Sequence, residues 1–218
     1  AKEITHLSSE QILATLGILT SGLGVTLKLF FIVIILSLPL GFLTTLLSSS
    51  KVAPLRWIAR GYVFLMRGTP LMLQLLFFYF GLPYIPVIGP HLAMGRFTTA
   101  CVAFTLNYAA YFAEIYRGGI ESVPLGQREA ANVLGLSRTH TFFRIVLPQV
   151  VKKVLPPMSN EFMTLVKDTA LASTIGVVEL FVRAKEITAS RATLLPIFVA
   201  GAFYLVMNAV VSKGFSVA

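Results

Sequence analysis

Residues 23–47 read LGVTLKLFFIVIILSLPLGFLTTLL, an apolar run with one charge, Lys28, near its start and with Pro39 and Gly41 further along. A helix needs about 20 mostly apolar residues to cross the hydrocarbon core of a bilayer, and this stretch supplies them. Working outward, three more regions offer the same length almost cleanly: about 97–116, 154–176 and 193–211. A further one, about 61–88, is interrupted by Arg67-Gly68-Thr69-Pro70. Upstream, the segment from Ser8 to Leu19 sets Ile12, Leu13, Leu16 and Leu19 on one helical stripe, the pattern of a helix lying at the membrane interface. The start does not read as a cleavable signal peptide, because no basic segment leads straight into a short apolar core. The expectation is an all-α membrane protein of five transmembrane helices plus an N-terminal interfacial helix, as one domain over residues 1–218.

Composition agrees. Of 218 residues, 56% are hydrophobic and 12% charged, with a mean hydropathy of +0.82. A soluble domain carries about a quarter of its residues charged, and 17 Phe with 7 Tyr exceed what one water-soluble core of this size hides. An ordinary cytosolic enzyme, a disordered chain and a disulfide-rich secreted chain are excluded. The single cysteine, Cys101, removes disulfide frameworks and paired-cysteine metal or redox sites. The net charge of +9 does not point to nucleic acid, because the basic residues are scattered between apolar spans.

Loop charges orient the five spans. Ten Lys and Arg fall on one side: Lys51, Arg56, Arg60, the six within 117–153, and Lys213. Five fall on the other: Lys2, Arg96, Arg183, Lys185 and Arg191. The richer side belongs in the cytoplasm, which places the N-terminus outside and the C-terminus inside. The longest cytoplasmic loop, about 117–153, holds Pro124 and Gly135 at spacings that suit the start and stop of a short helix. A second short helix is expected over about 139–146.

Catalytic signatures are missing. There is no phosphate-binding Gly-x-x-x-x-Gly-Lys-Ser/Thr loop and no His-Glu-x-x-His, while His6, His91 and His140 are too dispersed for a metal site. The chain is therefore not expected to be an enzyme or to carry a cofactor. What the loop does hold is Glu129-Ala130-Ala131, then Gly135, then Ile145-x-Leu147-Pro148. This spacing resembles the EAA signature of bacterial ABC importer permeases. Arg67-Gly-Thr-Pro-Leu, Ala113-Glu-Ile-Tyr-Arg-Gly-Gly-Ile, Leu147-Pro-Gln, Asn160-Glu-Phe and Leu165-Val-Lys-Asp-Thr-Ala-Leu-Ala-Ser sharpen the likeness to the polar amino acid subfamily. That subfamily includes permeases for histidine, arginine, glutamate, glutamine, cystine and opines. The likeness covers about residues 20–205; the chain departs from it in ending at Phe215-Ser-Val-Ala, without a Leu-Glu-rich basic tail.

The resemblance implies a MetI-like bundle in the bacterial cell (inner) membrane. Two permease chains, identical or sister, would pair with two cytoplasmic ATPase subunits that hold ATP and Mg. An extracytoplasmic binding protein would deliver a polar amino acid. The loop then serves as a coupling helix: Ala130 and Ala131 are small enough to seat it in a groove, Glu129 can pair there, and Gly135 turns the chain sharply. Leu147 and Pro148 close the motif.

Two places are candidates for substrate. On an ideal helix with Asn160 at zero, Thr164 falls near 40°, Lys167 near −20°, Asp168 near 80° and Glu161 near 100°, at about 100° per residue. These five polar side chains share about a third of the circumference. An ionised side chain facing lipid costs at least about 2.5 kcal/mol, so this face lines protein or water. It is either a substrate stripe or an ion pair, Lys167 with Asp168 or between helices, that holds the bundle together. At the break in the second span, a helix restarting at Pro70 would aim free N–H groups at an anion such as a carboxylate, with Thr69 and Gln74 beside it. The alternative there is a kink whose Arg67 reaches the cytoplasmic headgroups. Lys28, Glu114, Asn107 and Asn208 read as interfacial or helix-packing residues.

Two other functions compete. An ion-coupled secondary amino acid transporter would use Glu161, Lys167 and Asp168 as relay groups, but five spans with no internal repeat argue against it. A membrane anchor without transport leaves the polar stripe of the fourth span without a reason.

Overall fold

A computed structural model describes residues 9–216, with side chains from residue 13 onward. The elements in chain order are α1 (Ser9–Ser48), α2 (Ala53–Gly68), α3 (Leu71–Leu76), α4 (Gly89–Leu92), α5 (Arg96–Glu121), α6 (Leu125–Val133), α7 (Arg138–Thr141), α8 (Leu147–Asp168), α9 (Leu180–Arg191) and α10 (Leu195–Ser216). Among the described residues there is no strand.

The expected interfacial helix is not a separate element. Its described part, from Ser9, runs without a break into the first span as α1, 40 residues long. No proline or turn stands between Ser9 and Leu23 to stop it, and the window from Leu13 onward is already apolar enough to cross a membrane. At 1.5 Å per residue α1 is about 60 Å long, twice a hydrocarbon core. Ser8 lies outside the described residues.

The interrupted span is a joint rather than a kink. α2 and the segment 71–84 meet at 108° across Thr69 and Pro70, and α3 runs into a π-helical turn (Phe77–Gly81) and a 3-10 turn (Leu82–Tyr84). By length and composition α1 and α10 each suffice to cross a membrane, and the bent pair counts as a third. α5 and α8 have the length, 26 and 22 residues, but spend part of their surface on polar side chains turned toward neighbours. α8 begins seven residues before the expected Val154, with Pro148 in its first turn where a missing N–H costs nothing. It gives way to a 3-10 turn (Thr169–Ile175). α9, in the connection after it, has no counterpart among the expected elements.

The core lies where α1, α3, α5 and α8 meet: Leu29, Val33, Leu75, Phe104, Phe112 and Leu165 are all fully buried. Exposed apolar side chains of α1, α2 and α10, such as Phe31, Phe64 and Leu205, present the outer surface to lipid. Lipid removes the usual drive to bury apolar area between helices, so close backbone approach takes its place. α1 lies along α5 at Gly41, where an added Cβ would meet Phe112 Cβ at 2.8 Å and the Ala109 carbonyl oxygen at 2.9 Å. One turn on, Thr45 donates its hydroxyl across the contact to the Ala113 carbonyl at 3.0 Å. Gly41→Ala is expected to lower the melting temperature, since overpacking costs about 1–3 kcal/mol. Gly24→Ala, where nothing lies within 4 Å, should leave it level or raise it by restricting the unfolded chain. Equal shifts in the two variants, read by thermal melting in one detergent, would show that α1 and α5 are not in this contact.

Candidate functional site

The joint between α2 and α3 is built on amides. Gln74, 7% exposed, donates from Nε2 to the Met66 carbonyl at 2.9 Å and to Thr69 Oγ1 at 2.8 Å. Its Oε1 accepts from Asn107 Nδ2 of α5 at 2.9 Å, and Asn107 also donates to the Met66 carbonyl at 3.1 Å. The Thr69 hydroxyl in turn donates to the Leu65 carbonyl at 2.8 Å. Carbonyls that a broken helix leaves without partners are thereby satisfied by side chains. Gln74 thus sits behind the joint with its amide committed inside the protein, whereas Thr69 and Pro70 are exposed. Asn107, which the sequence suggests only as a packing residue, is the second half of this brace.

Arg67, the last cation of α2, does not reach out alone. Its guanidinium lies 3.8 Å from Glu114 of α5 and 5.3 Å from the centre of the Tyr111 ring. Glu114 is bonded on its other side by Arg117. Arg67, Tyr111 and Glu114 line a cavity of about 290 Å³ together with Lys153, Pro157 and Glu161 of α8. Arg67 and Glu114 also line a second cavity, of about 420 Å³, with Arg60 and Arg117. Their ion pair is therefore the partition between the two.

On α8 the five polar residues part company. Glu161 is half-buried and, among the described residues, makes no hydrogen bond or ion pair; it faces the smaller cavity opposite Arg67. Asn160 is exposed and Thr164 half-buried. The ion pair considered between Lys167 and Asp168 does not form. Neighbours on a helix point about 100° apart; Lys167 is exposed, and Asp168 instead accepts from the Tyr108 hydroxyl of α5 at 2.8 Å. Pro156 and Pro157 stand inside α8 just before this region.

The loop between α5 and α8 closes into a small structure of its own. α6 holds Glu129 and Ala130 outward and Ala131 inward, the last 2% exposed. It stops where Gly135 takes φ +72°. The Gly135 N–H bonds the Asn132 carbonyl at 3.0 Å and the Leu136 N–H the Ala131 carbonyl at 3.0 Å, the paired closure that a left-handed residue makes possible. The expected second short helix is α7 followed by a π-helical turn (Phe142–Val146), continuous with α8, whose first residues are Leu147 and Pro148. The Ser137 hydroxyl caps α7 by accepting the His140 N–H at 3.2 Å. Buried Val123, Val146, Val150 and Val154 root the loop between α5 and α8.

One node has no sequence signal. Glu179, fully buried, caps α9 by accepting the Phe181 and Val182 N–H groups at 2.8 and 2.9 Å and the Tyr204 hydroxyl of α10 at 2.9 Å. Glutamate is an uncommon helix cap, which is why the position reads as loop. Among the described residues no group of three His, Cys, Asp or Glu side chains could hold a metal ion.

The chain is 42% identical over 187 residues to the L-cystine transport system permease protein TcyB of Bacillus subtilis, an alignment spanning 85% of this chain and 78% of that one. It is 41% identical over 204 residues to the octopine transport system permease protein OccM of Rhizobium radiobacter, spanning 91% and 83%. It superposes on the crystal structure of an amino acid ABC transporter with histidines at a TM-score of 0.85, with 32% identity and 98% of both chains covered. The inward facing MetNI methionine ABC transporter shares the fold, at a TM-score of 0.66 and 16% identity over 96% of both chains. Residues 37–213 match the family described as binding-protein-dependent transport system inner membrane component, and it is to this family that the chain belongs.

Proposed function

We propose that the chain is the permease subunit of an ATP-driven importer of polar amino acids, forming the translocation path and coupling it to cytoplasmic ATPase subunits. The observation that carries the substrate class is Glu161, a half-buried carboxylate without a partner, across one cavity from the Arg67 guanidinium. A zwitterion is the ligand such a pair of opposite charges suits. Glu161 takes the ammonium group or a basic side chain, and Arg67 and the helix restart at Thr69 and Pro70 face the carboxylate. Asn160 and Thr164 share the α8 face with Glu161, Lys167 and Asp168 continue it, and Gln74 fixes the restart from behind. Relatives named for cystine, octopine and arginine transport support this class, since all three ligands carry ammonium and carboxylate groups.

In this reading Glu129 and Ala130 meet an ATPase, Ala131 packs α6 onto its own chain behind them, Gly135 turns the loop, and Leu147 and Pro148 anchor its return. The working unit has two ATPase subunits, which bind ATP and Mg, and a second permease chain, identical or sister. An extracytoplasmic binding protein completes it. The chain sits in the bacterial cell membrane with its N-terminus outside and its C-terminus in the cytoplasm, the more basic loops facing inward. The test reconstitutes the assembly in vesicles and offers arginine, cystine, glutamine and histidine, each with loaded binding protein. Saturable stimulation of ATP hydrolysis and uptake by at least one of them is expected. Uptake driven by a proton or sodium gradient and indifferent to ATP would replace this reading with that of an ion-coupled carrier.

A further inference from the structure

Between α6 and the turn that leads into α8 lies a cavity of about 340 Å³, lined by Arg128, Asn132, Arg138, Thr141, Phe142 and Val146. We propose that it is a socket for an acidic side chain of the ATPase subunit, held between Arg128 and Arg138. The inference rests on the reading of this loop as the ATPase-coupling element and names the chemistry of the contact.

Three observations carry it. First, among the described residues neither arginine side chain makes a hydrogen bond, ion pair or ring contact. Second, the loop cannot supply the missing charge. Between Ser122 and Asn160 its one carboxylate is Glu129, against Arg128, Arg138, Arg144, Lys152 and Lys153. Glu129 adjoins Arg128 on α6 and is directed away from it by about 100°. Third, the cavity has a closed floor, with Val146 2% and Thr141 6% exposed. A carboxylate resting on that floor would lie between the two exposed guanidinium groups at the rim. Two guanidinium groups facing one space repel each other until an anion enters, and their planar forks match a carboxylate.

A lipid headgroup could offer an anion too, but it asks only for cations along a membrane surface. Here the two arginines share one depression with a buried floor, and the end of α6 sets Val133 and Leu134 beside it, 89% and 75% exposed. Apolar side chains flanking a charged pocket on a conformationally fixed helix end are the pattern of a protein contact.

The test measures binding of the transporter's own ATPase to the permease in nanodiscs of purely zwitterionic lipid, over a series of KCl concentrations. Arg128→Gln/Arg138→Gln is expected to raise Kd about tenfold, the size of one charge-assisted hydrogen bond, and to flatten its salt dependence. The melting temperature should hold, because both side chains are exposed. Arg138→Lys, treated with a carbodiimide, should form a zero-length crosslink to an ATPase aspartate or glutamate that the wild-type chain does not form. Unchanged Kd and salt slope in the double variant, or no crosslink above the wild-type background, would overturn the socket. So would an effect that appears only when phosphatidylglycerol is added to the discs, since the occupant would then be lipid. The two readings fail differently. If the wild-type chain does not bind the ATPase, the coupling role of the loop falls and the socket with it. If Gly135→Val abolishes binding while the double glutamine variant binds normally, the coupling role stands and the socket alone falls.

Discussion

Glu161→Gln is expected to raise the substrate concentration for half-maximal ATP hydrolysis by about ten- to a hundredfold in vesicles carrying the assembled transporter. A hydrogen bond to a charged group contributes about 1.5–3 kcal/mol, and each 1.4 kcal/mol is about tenfold. The glutamine keeps the shape and loses the charge that an ammonium group requires. Stability should change little, because the native carboxylate has no partner to strand: among the described residues it makes no hydrogen bond or ion pair, and it faces a cavity that water can fill. The competing account, in which Glu161 balances Arg67 to hold α2 against α8, predicts the reverse. Removing one member of such a pair leaves the other charge uncompensated, so the variant would melt lower with its substrate dependence intact. The geometry already leans away from that account, since Arg67 has its own partner in Glu114 at 3.8 Å. Melting temperature and substrate-stimulated hydrolysis, measured on the same preparation, separate the two.

Gly135→Val should disconnect the ATPase while leaving the bundle folded. The residue has φ +72° with nothing within 4 Å of an added Cβ, so the obstacle is backbone conformation and not space. The left-handed region costs an ordinary L-residue about 1–2 kcal/mol, and a β-branched side chain suits it least. The cheapest relief is to undo the closure at Asn132 and Ala131, which frays the end of α6 and swings Val133 and Leu134 out of place. Stimulated hydrolysis should fall by an order of magnitude or more as the ATPase dissociates, with the melting temperature of the permease nearly unchanged. Gly135→Asn, which tolerates this conformation better, should retain most of the coupling. Full association and stimulation in the valine variant would remove the coupling role from this loop.

The sequence discloses what is set locally. Long apolar runs announce α1 and α10, and the spacing of Glu129, Gly135 and Pro148 announces the helix, the turn and the return of the loop between α5 and α8. It conceals what is set by partners far along the chain. Gln74 looks like a ligand because nothing adjacent reveals that Asn107, 33 residues on, and the Met66 carbonyl will claim its amide. Asp168 looks paired with Lys167 because both sit on one ideal wheel, yet its partner Tyr108 is 60 residues away. The wheel also overstates the polar stripe, which reaches its end at Asp168 as α8 tightens into a 3-10 turn. α9 stays hidden because its cap is a buried glutamate satisfied by a tyrosine of the next helix.

The glycine contact between α1 and α5 belongs to a series. An added Cβ at Gly22 of α1 would meet the Leu180 backbone of α9 at 2.9 Å, and one at Gly119 of α5 would run into the Val154 side chain of α8. α6 follows α5 after Ser122, Val123 and Pro124 alone, and Val123 is buried. From the loop after α5 to the cap of α9, helices thus meet at glycines, against backbone at Gly22 and against the stems of short or aromatic side chains at Gly41 and Gly119. Helices seated this closely are expected to move together when α6 is displaced, with α1, about 60 Å long, as the longer arm. A small stroke at the α6 end is then expected to become an angular movement at the far end of α1.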